Sequence, residues 1–344
     1  MKMAMKRVPY RLAAVIVLAL ASAVAQAALQ EGLDAYFHGN YRAALGELKP
    51  LADSGDAKAQ YQLGMMYDLG KGVKKDRQAA LAWLRKAAEQ GNADAQSGLG
   101  SAYADGNGVE QDFVAALLWL RKAAEQGERV AQYNLGIAYD YGQGMPQDAQ
   151  QALFWYRKSA AQGYAKAQYN LGLMYYSGEG ISKDYREALS WFRQAAERGD
   201  ADAQYNLGVM YDNGEGVAQD YLAAMKWYRK ADKQGNIAHA QLNLGEMYAV
   251  GRGVAQDYNE ALLWFRKAAA QGDVKAQYNL GMAYKDGLGV PVDLAQAHKW
   301  LDLASAAGDE KAAVARREVE TKMAFKQAEH DPPQKKKLHA KKHK

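Results

Sequence analysis

The sequence predicts an all-α solenoid of helix–turn–helix repeats, and three observations predict it. Its seven tryptophans, Trp83, Trp119, Trp155, Trp191, Trp227, Trp264 and Trp300, stand 36 residues apart five times and 37 once. A fixed period on this scale is the mark of a stacked-repeat architecture. Within each period, apolar residues recur at helical spacing in two stretches and never alternate with period two. Between the stretches, every period carries a Gly-x-Gly turn followed by Asp.

The chain begins outside the array. Lys2, Lys6, Arg7 and Arg11 make a basic start, and an apolar run from Leu12 to Ala25 is interrupted only by Ser22. Ala25-Gln26-Ala27 then has the small-x-small pattern of a cleavage site. Residues 1–27 read as a secretory signal peptide cut after Ala27. The run is shorter than the roughly 20 apolar residues of a membrane span, which ranks an uncleaved anchor lower. The expectation is an exported protein, periplasmic or secreted, and the style of the signal suggests a bacterial periplasm. With no Cys in the chain, a lipoprotein anchor and a disulfide framework are both excluded, although an exported compartment permits disulfides.

The unit Asp56–Gly91 shows the repeat. In its first half Ala59, Leu63 and Tyr67 share one helical face. In its second half Ala80, Trp83, Leu84, Ala87 and Ala88 share another. Gly70 and its equivalents Gly106, Gly142, Gly178, Gly214, Gly251 and Gly287 close the first helix in the left-handed conformation. Asp76, Asp112, Asp148, Asp184, Asp220, Asp257 and Asp293 cap the second helix. Gln151, Glu187, Glu260 and Gln296, three residues beyond their Asp, complete a capping box in four units. Gly64 and its equivalents lie inside the first helix, where Gly costs about 1 kcal/mol against Ala. Close approach of a neighbouring helix accounts for them. The Trp is expected to fill the gap between units, burying on the order of 150–250 Å².

These strings carry a family resemblance. AQYNLGIAYDYGQGM (131–145), AQYNLGLMYYSGEGI (167–181) and AQYNLGVMYDNGEGV (203–217), each followed by a Trp-bearing helix, resemble Sel-1-like repeats, relatives of the tetratricopeptide repeats. The resemblance covers residues 56–308 as seven units. It implies a right-handed superhelical α/α solenoid whose first helices line a concave face. Residues 28–55 resemble a degenerate first repeat, with Glu47 at the Trp position and Pro50 in the second helix. Residues 309–330 read as a C-terminal capping helix that covers the last apolar face. Residues 331–344 read as a disordered Lys-rich tail.

Charge and motif content exclude several function classes. Residues 28–331 carry 34 basic and 39 acidic side chains, while six lysines cluster in 335–344. The body is therefore no specific nucleic-acid binder. The tail Lys335–Lys344 suits either solubility or attraction to an anionic envelope polymer or membrane surface. No HExxH, GxSxG, SxxK or Walker pattern occurs, and of the six His only His339 and His343, within the Lys-rich tail, stand four apart. No catalytic residue, metal or cofactor is assigned. Some disulfide-braced relatives are linked to penicillin binding, but without Cys or SxxK that activity does not carry over. The Gly-x-Gly turns join two helices, whereas a phosphate loop follows a strand.

The candidate binding residues lie on the first helices. A column reads Tyr61, Ser97, Tyr133, Tyr169, Tyr205, Leu242 and Tyr278. The next position reads Gln62, Gly98, Asn134, Asn170, Asn206, Asn243 and Asn279. In tetratricopeptide arrays, the resemblance implies, such an Asn holds a bound peptide's backbone, and an amide has the donor and acceptor to do so. The competing reading is that Asn and Tyr tie neighbouring helices together. Three residues past the Asn, Ile137, Leu173 and Val209 form an apolar strip, which either faces a partner or packs inward. Three further stand Asp68, Ala104, Asp140, Tyr176, Asp212, Ala249 and Lys285, a variable column suited to specificity. The sixth unit has an extra residue within 235–245, Leu242 for Tyr and Asp232 for Ala, which predicts a local kink or an altered superhelical twist; neutral drift ranks above a functional notch around His239.

The resulting expectation is a non-enzymatic scaffold or adaptor of the cell envelope, binding a protein or peptide. Two other classes stand beside it: a protein that binds or modifies cell-wall glycan, and a surface anchor acting through the tail.

Overall fold

In a computed structural model of the 344-residue chain, the backbone is described for residues 10–330 and side-chain environments for residues 22–327. Lys2, Lys6 and Arg7 of the basic start and the Lys-rich tail fall outside the described residues. All seventeen elements in the described part are α-helices, and no strand occurs among the described residues. Helix α1 (Tyr10–Phe37) pairs with α2 (Tyr41–Asp53). The repeats then run α3 (Ala57–Leu69) with α4 (Arg77–Glu89), α5 (Ala93–Asp105) with α6 (Phe113–Glu125), and α7 (Arg129–Tyr141) with α8 (Ala149–Ala161). They continue with α9 (Ala165–Ser177) and α10 (Tyr185–Glu197), α11 (Ala201–Asn213) and α12 (Tyr221–Gly235), α13 (Ala238–Val250) and α14 (Tyr258–Ala270), and α15 (Val274–Asp286) and α16 (Leu294–Ala306). Helix α17 (Glu310–His330) closes the series. The chain divides into two compact units at Ala167, in the first turn of α9. Among residues 22–327 no helix is long and apolar enough to cross a membrane.

Sequence dictates the ends of each helix. Asp76, Asp112, Asp148, Asp184, Asp220, Asp257 and Asp293 all accept backbone N–H groups of the next turn through their carboxylates. The expected capping box closes on one side only. The N–H groups of Asp148, Asp184, Asp257 and Asp293 are donated at 2.9 Å to the carbonyls of Tyr139, Tyr175, Tyr248 and Tyr284, not to Gln151, Glu187, Glu260 or Gln296. The second Gly of each turn has a docking role. Gly216, at φ +69°, lies so close to the start of α10 that a Cβ there would stand 2.5 Å from the Tyr185 carbonyl oxygen. That contact joins one repeat to the next, which is the structural purpose of the Gly-x-Gly turn.

The Trp packs between units as expected: Trp83, Trp119, Trp227, Trp264 and Trp300 lie on apolar clusters shared by the preceding second helix and their own first helix. The packing inside each helix pair adds a second, more deeply buried residue. A Cβ on Gly208 would lie 2.4 Å from the Tyr228 ring. The equivalent neighbour at every helical Gly is the residue after the Trp: Leu84, Leu120, Tyr156, Phe192, Tyr228, Phe265 or Leu301. These seven are buried. Trp155 is buried too, but the other six tryptophans are only half-buried. Lys86, Lys122, Lys230 and Lys267 extend over the rings of Trp83, Trp119, Trp227 and Trp264 at 3.9–4.7 Å from the centroid. Trp is thus the shoulder of the repeat, screened by a cation–π contact, and the following side chain is its core.

The degenerate first pair uses the same device. Gly32 in α1 faces Leu48 in α2, at 2.8 Å from a built Cβ, as Gly64 faces Leu84. Asn40 caps α2 where later pairs use Asp. Pro50 sits inside α2, where it removes the N–H that would bond to the Gly46 carbonyl. At the other end, Asp309 accepts from the Ala312 N–H at the start of α17, and Ala312, Ala315 and Val319 cover Leu301.

Candidate binding face

A column of buried glutamines fixes the spacing of successive first and second helices. Gln60, Gln96, Gln132 and Gln204 donate through Nε2 to the carbonyls of Ala52, Ala88, Ala124 and Ala196 in the preceding pair, at 3.0–3.1 Å. In turn Gln90, Gln126 and Gln162, at the ends of second helices, donate to Oε1 of Gln60, Gln96 and Gln132 at 2.7–2.8 Å. A buried amide must be paired on both sides or it costs stability, so this column sets helix spacing. The sequence displays it as the Gln of the AQ pair in the first turn of each first helix and the Gln that precedes the last Gly of most units. On the exposed side Arg85, Arg121, Arg193 and Arg266 donate to the hydroxyls of Tyr103, Tyr139, Tyr211 and Tyr284 of the next repeat.

The extra residue of the sixth unit is absorbed within this column. Helix α12 runs two residues longer than the other second helices of the repeats, 15 against 13, and Asn236 takes the left-handed conformation at φ 51°. Helix α13 then begins after Ile237, an N-cap residue that makes no side-chain capping bond. Gln241 loses the usual carbonyl acceptor and donates instead to Asp232 Oδ1 and Asn236 Oδ1, at 2.5 and 2.7 Å. Asp232 is therefore a replacement acceptor. Upstream, the Oε1 of Gln204 is buried with no partner. The His239 ring lies 6.2 Å from that of Tyr205, and its Nε2 4.0 Å from Asp273.

The first-helix candidates divide by what they already touch. Tyr133 stacks on Tyr156 and Tyr164, Tyr169 on Phe192, and Tyr205 on Tyr228, with centroids 5.1–6.0 Å apart. Tyr278 packs on the cluster around Leu301. Burial pushes the Tyr205 and Tyr228 phenols up. Asn134 donates to Ser101 Oγ at 2.9 Å and Asn206 to the Tyr169 hydroxyl at 3.5 Å. Asn243 lies within hydrogen-bonding reach of the Tyr205 and Tyr228 hydroxyls. These three amides tie one first helix to the preceding one. The side chains of Asn170 and Asn279 make no hydrogen bond among the described residues. Ile137 and Val209 are half-buried, and Leu173 is exposed.

The variable column decides where the face opens. Asp140 and Asp212 accept from the hydroxyls of Tyr156 and Tyr228, at 3.0 and 3.4 Å. Asp68 pairs with Arg77 at 2.6 Å and Lys285 with Glu318 at 2.8 Å. Tyr176 donates to Glu215 at 2.8 Å, and burial with that carboxylate pushes its phenol up to about 12. Ala104 and Ala249 have nothing to extend, and each opens a cleft between successive first helices. The Ala104 cleft, of 410 Å³, is rimmed by Ser101, Asp105, Gln111 and Gln143. The Ala249 cleft, of 320 Å³, is walled by Leu262, Phe265 and Met282 and rimmed by Glu246, Val250, Arg252 and Leu288. No group of His, Asp or Glu that could hold a metal ion occurs among the described residues.

This architecture is found in known proteins. The Sel1 repeat family matches residues 57–92, 93–128, 129–164, 165–200, 201–236, 238–273 and 274–309. The chain belongs to the Sel1 repeat family. Crystal structures agree. A Sel1 repeat protein from Oxalobacter formigenes is 36% identical, with 86% of this chain and 87% of that one covered and a TM-score of 0.64. The protective antigen c5321 of uropathogenic Escherichia coli, which displays an SLR fold, is 35% identical with a TM-score of 0.78. That match covers 87% of this chain but 65% of the E. coli protein. No curated protein matches the chain. Sel1 repeat folds commonly mediate protein–protein interaction, and the family is generally non-catalytic.

Proposed function

We propose that this chain is a non-enzymatic interaction scaffold of the bacterial cell envelope, binding a protein or peptide along its first helices. The observation that carries this reading is the division of the first-helix column: part of it is consumed in tying helices together, and part is left open at unpaired amides and clefts. On the second helices, the rings of Trp83, Trp119, Trp227 and Trp264 are covered by Lys. Export is supported by the basic start, the apolar run and Ala25-Gln26-Ala27. The α1 residues that join the first apolar cluster begin at Leu29, so a cut after Ala27 spares that core.

The test is crosslinking of the mature protein in periplasmic extract, with partners identified by mass spectrometry. Asn134→Ala and Asn279→Ala serve as separate variants, each checked for helicity by circular dichroism. Loss of a specific partner in either folded variant is the expected outcome. Recovery unchanged in both would refute the first-helix reading, and turnover of cell-wall fragments by the purified chain would refute the non-enzymatic one.

A further inference from the structure

The two Ala clefts occupy the same place in the repeat but differ in chemistry. At Ala104 the rim is polar, and the position facing Asn134 is Ser101, already hydrogen-bonded to it. At Ala249 the equivalent of Ser101 is Glu246 and the equivalent of Asn134 is Asn279, and no hydrogen bond joins them among the described residues. The rim there joins two charged residues, Glu246 and Arg252, to two apolar ones: Val250 is 61% exposed and Leu288 37%. Such residues project hydrocarbon into water around an apolar floor of Leu262 and Phe265.

Glu246 is the other distinctive group. It is half-buried, and no ion pair or hydrogen bond engages its carboxylate among the described residues. Arg252, which lines the same cleft, is committed to Asp212 at 3.3 Å. Burial pushes the Glu246 carboxyl above its ordinary range, against the opposing pull of Arg252 and Lys275. A half-desolvated carboxylate without a partner is costly, and a ligand cation that pairs with it offsets that cost. Glu246 and Asn279 also line a second cleft of 520 Å³ with Lys275, Tyr278, Asp309 and Lys311. The carboxylate and the free amide therefore stand on the divide between an apolar pocket and a polar one.

We propose that the Ala249 cleft binds an extended protein segment carrying a large apolar side chain next to Lys or Arg. The apolar side chain enters between Val250, Leu288 and Phe265. Asn279 pairs with the segment's backbone, and Glu246 takes its ammonium or guanidinium. A cleft of 320 Å³ is at the small end of ligand pockets and admits one side chain rather than a whole cofactor. Charge selects the partner: a basic neighbour is favoured by Glu246, and an acidic one is repelled.

This inference rests on the first-helix reading above, and the experiment separates the two. The probe is a labelled six-residue peptide with Leu-Lys at its centre in a Gly/Ser frame, followed by fluorescence anisotropy with the full mature chain. Two controls replace its Lys by Glu or its Leu by Gly. Saturable binding of the Leu-Lys probe is expected, weakened tenfold or more by either control change. Ala249→Tyr, which installs the residue found at Tyr176, and Glu246→Gln are each expected to weaken it at least tenfold. Ala104→Tyr should leave it within twofold. Circular dichroism checks each variant, and Glu246→Gln keeps the test decisive should Ala249→Tyr misfold. Absence of binding, or equal binding of the Glu probe, overturns the proposal. Binding lost on Asn134→Ala but kept by Ala249→Tyr and Glu246→Gln also overturns it, while leaving the first-helix reading standing.

Discussion

The same substitution, Gly to Ala, is expected to have opposite signs at two helical positions of this chain. At Gly46 in α2 a Cβ meets nothing within 4 Å. Ala there gains helix propensity, and stability rises by about 1 kcal/mol. At Gly208 in α11 a Cβ would lie 2.4 Å from both Cδ1 and Cε1 of Tyr228. That ring is fully buried and its hydroxyl is held by Asp212, so it has no free volume in which to retreat. Overpacking of this kind costs about 1–3 kcal/mol. Displacing the hydroxyl forfeits about 1 kcal/mol more, and the propensity gain returns about 1 kcal/mol. The net is a loss of about 1–3 kcal/mol. Urea unfolding followed by far-ultraviolet circular dichroism should show the midpoint rising for Gly46→Ala and falling for Gly208→Ala. A midpoint that rises in both would refute the view that the residue after the Trp, packed on the helical Gly, is the core of the repeat.

Other outcomes test the polar column and the open face. Asp232→Ala restores the residue type of the other repeats, yet should lower stability by about 1–3 kcal/mol in urea unfolding, because Gln241 then loses an acceptor in a buried site. Gln96→Met removes two hydrogen bonds and Gln204→Met only one, so calorimetry should show the larger fall in melting temperature for Gln96→Met. Glu246 has a folded pKa above its ordinary value, set by burial against Arg252 and Lys275, with Asp273 and Asp212 adding to the rise. Its protonated form is the stabilising one, and that contribution is lost as pH rises through the folded pKa. Glu246→Gln should therefore unfold at higher urea than the parent at pH 7, with the difference shrinking toward pH 4.

The repeat itself was legible because its signals are local. The Asp caps, the Gly closing each first helix and the 36-residue period are properties of short segments, and all appear as expected. The Trp was legible as the body between units, but Trp and its successor sit about 100° apart on one helix, and spacing alone does not say which is buried more deeply. Constancy favoured Trp, while the more deeply buried position varies among Leu, Tyr and Phe. The capping box failed for a different reason: the Asp N–H reaches a Tyr carbonyl nine residues back, a partner supplied by the turn. The glutamine column was visible as a recurring residue, but its meaning depends on carbonyls of another repeat. At the candidate site, the Asn column was legible as a column, whereas its split into tied and open members depends on the preceding helix. The clefts could have been read from Ala104 and Ala249, the two smallest residues in a column otherwise filled by Asp, Tyr and Lys.

The joint between α12 and α13 has a consequence for how the array comes apart. In a linear stack, opening begins at the interface with the least holding it. Here a left-handed Asn replaces Gly, a helix begins after Ile237 without a side-chain capping bond, and Gln204 keeps an unanswered acceptor. The side chains of Asp232 and Asn236 patch the seam without restoring its backbone bonding. Amide protons of α13 should then exchange ahead of those of α11, and a protease should find the chain first near Asn236. The single irregular spacing among the tryptophans thus marks a tear line, along which residues 238–330 would be shed as one piece.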